Sequence, residues 1–207
     1  LKKHGVHIRN ASEQQQARMD RSTPEQIKHL TAKAHAATAG RKVSIETKRQ
    51  TALTREKRLF GQSENERRLI DMLSAYGLTC IPQLAVGPYN CDIAIAPVAV
   101  EVLGGNWHWT GQHRSRAQER TYYFLNCGWH VLYIVANASS PLTVDTAKYV
   151  ADFIHFARSN PSIQREYRVV WRAGEDVTRG CLDDDNFAFD PPFTNARDSA
   201  NGRYKRI

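Results

Sequence analysis

Three acidic or imidazole-bearing positions in the 207-residue chain could do metal or acid–base chemistry together: Glu66, Asp92 and His108. Asp92 sits in the apolar run "CDIAIAP", which is followed by "VAVEVLGGNWHW". A two-residue turn at Ala96-Pro97 would make these runs a hairpin and set Asp92 opposite Glu101 on one sheet face. A one-residue slip would bring it opposite Val102 instead. Two neighbouring carboxylates repel unless a cation or a shared proton holds them, and a divalent cation with oxygen ligands is the usual reason to build such a pair. The plain alternative is an Asp bonded to nearby backbone groups, because an unpaired charge in an apolar strand costs several kcal/mol. Glu66 lies at helical spacing with Ile70 and Leu73, which turns it toward a core. Ser63-x-x-Glu66 is equally the signature of a capping box. His108 follows Gly104-Gly105, where the backbone can turn sharply. It suits a general acid, a base or a water-orienting group, or simply a ring packed between Trp107 and Trp109.

The elements that must position these groups begin near residue 60. "SENERRLIDMLSAYG" reads as an amphipathic helix with Leu69, Ile70, Leu73 and Tyr76 on one side and Gly77 as its stop. A short strand near 79–83, the hairpin, a helix over "SRAQERTYYFLNCG" and the apolar strand "WHVLYIV" come next. A helix with Val150, Phe153, Ile154 and Ala157 inward and the strand "EYRVVWR" complete the set. The order predicts an α/β fold: a mixed central sheet flanked by helices, over 59–180. The tail over 181–207 has little periodicity and reads as an irregular wrap or disordered.

Residues 1–58 differ in character. They hold 14 Lys and Arg against 5 Asp and Glu, whereas the other 149 residues hold 15 against 16. The net charge of +8 therefore sits in a basic helical N-terminal extension, the footprint of a nucleic-acid binder or of a solvated basic tail. Within it, Pro24 opens one helix that Gly40 stops, and Ser44 caps a second. "LKKHGVHIRN" reads as a helix tail and a turn at Gly5. No apolar run approaches the roughly 18 residues of a membrane span, and the four cysteines show no C-x-x-C pairing. Reduced thiols and a cytoplasmic location are the expectation. Leu1 in place of Met, with no secretory pattern after it, leads to the expectation of a piece of a longer product.

The ordered run Glu66, Gly77, Asp92, "VEVLGGNWHW", Arg120 and "CGWHVLYIV" resembles the very-short-patch repair endonucleases and related homing endonucleases. These form the Glu-Asp-x-His branch of the PD-(D/E)XK nuclease superfamily. The resemblance spans residues 63–135, about a third of the chain. It implies a Mg²⁺-dependent endodeoxyribonuclease, with Mn²⁺ able to substitute, acting on double-stranded DNA. Asp92 would be the principal metal ligand, with the Val102 backbone or the Glu101 carboxylate completing the site. Glu66 would be a helix-borne ligand or orienter, and His108 would position or activate water. Arg120 would face the site or support the sheet. The acid-x-Lys of the wider superfamily is Glu101-Val102-Leu103 here. Ala117 stands where many relatives carry an acid, with Glu119, Gln112 and His113 nearby. The segment "GRKVSIETKRQTA" resembles the basic helices beside intron-encoded nucleases, which track duplex DNA. That assigns DNA contacts to Arg41, Lys42, Lys48, Arg49, Arg55, Lys57 and Arg58. A homing-type or mobile-element enzyme, bacterial or phage-encoded and nucleoid-associated, is the leading expectation, and a homodimer is one way to cut both strands. A mismatch-type repair enzyme, a non-catalytic DNA-binding protein on a degenerate nuclease fold and an RNA-directed protein are the alternatives.

Overall fold

The computed structural model describes residues 2–3, 6–7, 11–38, 40, 43–59, 61–104, 111–138 and 140–189. Two compact units divide the chain, Leu1–Val43 and Ser44–Ile207. In the first, β1 (Lys2–Lys3) pairs antiparallel with β2 (Val6–His7), where the sequence had suggested a helix tail. Helices α1 (Ala11–Asp20) and α2 (Pro24–Thr38) follow. Thr23 and Gln26 cap α2 reciprocally, the Thr23 N–H to the Gln26 amide oxygen and the Gln26 N–H to the Thr23 hydroxyl. Leu30 stays exposed.

The second unit opens with α3 (Ile45–Arg58), capped by Ser44, which accepts from the Thr47 N–H. Its charge had placed this helix with the basic arm, but α3 packs on the sheet. Asn90 donates to the Ala52 carbonyl, and Glu56 accepts from the Ala85 N–H of the edge strand. The compact unit therefore starts at Ser44 rather than at 59. Covering a strand edge with a helix carboxylate satisfies a backbone donor that would otherwise invite pairing.

The remaining elements are α4 (Glu64–Ser74), β3 (Ile81–Val86), β4 (Tyr89–Ile95), β5 (Val98–Leu103), α5 (Gly111–Asn126), β6 (His130–Val135), α6 (Val144–Ser159), β7 (Glu166–Trp171) and β8 (Asp176–Cys181). The six strands from β3 to β8 lie side by side in chain order. Pairs β5/β6 and β6/β7 are parallel, and the other three are antiparallel. The fold is thus α/β with a mixed six-stranded sheet flanked by helices.

One face of the sheet packs Ile93, Val100, Leu132 and Ile134 against Leu69 and Leu73 of α4 and Val150, Phe153 and Ile154 of α6. Tyr76, expected inward, is exposed, because α4 ends at Ser74 before the stripe reaches it. The other face packs Val131, Tyr133 and Val169 against Phe124 of α5 and against Phe187 and Phe189. Burial on both faces explains the unbroken apolar run of β6. Beyond Cys181 the described chain has no helix or strand and is the irregular wrap its sequence suggests, with Phe187 and Phe189 packed on the sheet. Strand β8 runs to Cys181 and pairs with β7, and Phe189 stands edge-on to Tyr133 at 4.8 Å. Polar β8 (DVTRGC) lacks the alternation that would have announced it. The four cysteines are free thiols, and among the described residues no helix is long and apolar enough to cross a membrane.

Candidate active site

The hairpin register is Ile95↔Val98, Ala94↔Ala99 and Ile93↔Val100, with Ala96-Pro97 as the two-residue turn. Of the two registers open from sequence, this is the one that aligns Asp92 with Glu101. The ladder stops there, and the two acids replace its hydrogen bonds. The Val102 N–H donates to Asp92 Oδ2 at 3.0 Å, and the Asp92 N–H holds the Glu101 carboxylate. Both strands thus end their pairing in side-chain-to-backbone bonds at the floor of a cleft of about 510 Å³. Glu66, Asp92, Glu101, Val102, Arg116 and Arg120 are among its walls.

A second irregularity meets the first on the β3 side. Pro82 pairs with Ile93 and Leu84 with Cys91, so Gln83 stands level with Asp92. Cys91 and Leu84 face the α5 layer, yet Ile93, two residues on, faces the α4–α6 layer. Side-chain alternation therefore breaks at Asp92, and Gln83 takes φ 54°. It is the one non-glycine in a strand with positive φ among the described residues, at a cost of roughly 1–3 kcal/mol. What the strain achieves is a contact: the Gln83 Nε2 donates to Glu66 Oε2 at 3.0 Å, and the same side chain hydrogen-bonds Asp92.

Glu66 fulfils both sequence readings at once. Its Oε1 accepts from the Ser63 N–H while Ser63 Oγ accepts from the Glu66 N–H, each at 3.2 Å, a complete capping box. Its other oxygen turns to Gln83 and the cleft. Acids in the first turn also suit the positive end of the helix.

Arg120, from α5, donates to Glu101 Oε1 at 2.5 Å and to the Asn90 carbonyl, and its guanidinium lies 5.7 Å from the Phe124 ring. The repulsion that predicted a cation between Asp92 and Glu101 is met at Glu101 by this guanidinium. All three carboxyls sit above their ordinary ranges. Burial is the main cause for each, and Asp92 raises Glu66 further. Arg120 opposes this at Asp92 and Glu101. With all three ionised, three negative charges among the described lining residues face the two guanidiniums of Arg120 and Arg116, leaving an excess of one.

Among the described residues no group of three His, Cys, Asp or Glu side chains converges on a point that could hold a metal. The donor set still fits a hard cation. Mg²⁺ keeps several waters and takes one or two carboxylates plus substrate phosphates, which is what Glu66 and Asp92 offer beside a cleft. Glu101, locked to Arg120, is the less available ligand, and Val102 meets Asp92 through its N–H. His108 lies outside the described residues, as do Arg41, Lys42 and the side chains of Gln112 and His113. Ala117 lines the cleft, whereas Glu119 is exposed and accepts from the Tyr89 hydroxyl.

Gln83, Asn90 and Arg116 escaped the sequence reading. Gln83 carried the same signal as Asp92, a polar residue inside an apolar strand. Lys48, Arg49, Arg55, Lys57 and Arg58 are all exposed on α3, and Arg49 also reaches Tyr123 of α5 and lies 3.9 Å from Glu46. No protein-family model matches the chain, no curated protein matches its sequence and no solved structure matches its fold.

Proposed function

We propose that the chain is a metal-dependent DNA endonuclease of the PD-(D/E)XK kind, related to the very-short-patch repair and homing enzymes. The observation that supports this most is the buried excess of negative charge. Glu66 and Asp92 both line the cleft at the end of the β4–β5 pairing, where the remaining charge among the described residues is the Arg120–Glu101 pair and Arg116. A carboxylate pair that stays ionised at neutral pH needs a counter-charge, and a divalent cation supplies two. When bound, Mg²⁺ polarises a phosphodiester and offsets the charge that develops on it.

The chain's own residues do the rest. Asp92 and Glu66 would hold the ion. Arg116, at the cleft wall, would meet a phosphate oxygen, and Arg120 keeps Glu101 in place behind the site. His108 would align or activate the attacking water. The five basic residues of α3, with the positive charge of residues 1–43, would contact the duplex through its phosphates. A homing-type or mobile-element role fits this basic extension better than mismatch repair does.

The test is nicking of supercoiled plasmid by the purified chain. Cleavage should require Mg²⁺ or Mn²⁺, stop with chelator, and fall at least about 100-fold in Asp92→Asn while duplex affinity is kept. Cleavage by Asp92→Asn at the wild-type rate would refute the site. Tight DNA binding without nicking under any divalent ion would assign the chain to the non-catalytic alternative.

A further inference from the structure

The cost of the Gln83 backbone is explained by neither packing nor the ladder. At φ 54° a strand residue other than glycine is strained, and hairpins place Gly or Asn where such a conformation is needed. Gln83 is instead 6% exposed, and it is not a wall of the cleft. Its carboxamide lies behind the two acids, donating to Glu66 Oε2 at 3.0 Å and bonding Asp92. Its carbonyl accepts from Asn90 Nδ2 at 2.8 Å, and Asn90 is tied in turn to α3. The inverted backbone thus aims a side chain that a regular strand would have turned away.

We propose that Gln83 is the positioning residue of the carboxylate pair: its amide fixes Glu66, on α4, and Asp92, on β4, in one mutual orientation that receives a single divalent cation. This rests on the two-carboxylate reading above and adds to it. Glu66 is clamped on both oxygens, by the Ser63 N–H and the Gln83 amide, and Asp92 is clamped by the Val102 N–H and Gln83. Ligands from two separate elements hold one ion best when their orientations are fixed, and outer contacts of this kind typically change metal affinity 10–100-fold. Gln83 touches neither ion nor DNA in this scheme, so it acts only through the acids.

The experiment measures Mn²⁺ binding to the intact chain without DNA, by the electron paramagnetic resonance signal of free Mn²⁺. Gln83→Met keeps side-chain length and backbone strain but has no donor. Gln83→Gly removes the donor and relieves the strain, so a folded protein is available even if the Met variant melts early. Both variants should bind Mn²⁺ about 10-fold or more weakly. The Mn²⁺ concentration for half-maximal plasmid nicking should rise by the same factor, while the rate at saturating Mn²⁺ approaches that of the wild type. A residue that merely holds the strands would leave Mn²⁺ affinity unchanged in whichever variant folds. Wild-type affinity in the folded variants overturns the role of Gln83 alone. Failure of the wild-type chain to take up Mn²⁺ at millimolar concentration overturns the metal reading of the cleft, and this inference with it.

Discussion

Replacing Arg120 with Met would leave Glu101 without its counter-charge at a position only 2% exposed. The Arg120→Met side chain fills most of the same space, so the loss is electrostatic rather than a cavity. It also strips a donor from the Asn90 carbonyl. Breaking a buried ion pair from one side costs about 3–5 kcal/mol. For a unit of this size that is a fall of roughly 6–20 °C in melting temperature. The pH dependence carries the sharper test. Burial already holds Glu101 well above the ordinary carboxylate range, and Arg120 is the strongest influence pulling it down. Without Arg120 the folded-state value rises further from the unfolded one. The folded state then binds the proton over a wider window, so stability falls as pH rises through that window. Urea unfolding of wild type and variant at pH 5 and pH 8 reads this directly. The loss should be largest at pH 8 and shrink at pH 5, and adding Glu101→Gln should recover more than half of it. A loss below about 1 kcal/mol at pH 8, or one equal at both pH values, would refute the claim that this pair holds the site's buried charge.

Three further outcomes are expected. Phe189→Ala should destabilise the protein by about 3–5 kcal/mol in chemical unfolding, because the ring is 1% exposed against Tyr133 although it lies near the end of the described chain. His130, wholly buried, is pushed down to about 4, chiefly by burial and then by Arg165 and Arg168, with Glu166 opposing. Its contribution is whole above the unfolded value near 6.5 and is lost as pH falls to 4, at most about 3 kcal/mol. His130→Gln should flatten that acid limb, measured as unfolding midpoints from pH 7 to 4. On α3, Lys48→Ala, Arg55→Ala and Lys57→Ala should each weaken duplex binding at all sequences alike. Each should also lower the slope of log affinity against log salt by about 1, without moving the melting temperature. An unchanged slope would take α3 off the interface.

How far the site was legible differs from residue to residue. Asp92 and Glu66 stood out because charge in an apolar strand, or on the inner face of a helix, is costly and needs a reason. Gln83 carried the same kind of signal, but a neutral amide costs less to bury. Its left-handed backbone leaves no trace in composition, because Gln has no preference for that conformation. Arg120 could be placed on the helix but not assigned to Glu101, since a partner 19 residues away is chosen by how α5 crosses the sheet. Helix α3 was misassigned because its charge dominates its composition, while a single buried alanine and two backbone bonds decide where it docks. Strand β8 was missed because an edge strand can be held by its ladder to β7 and needs little apolar alternation.

Helices and paired strands are written in local periods and caps, so the order of elements from α4 to β7 and the hairpin at Ala96-Pro97 followed from the chain alone. So did the concentration of positive charge in the first 58 residues. Register, long-range partners and layer crossings depend on contacts between distant segments. Only the tertiary structure could therefore stop the β4–β5 ladder at the two acids, set an arginine against one of them and turn Gln83 backwards to join the other to Glu66.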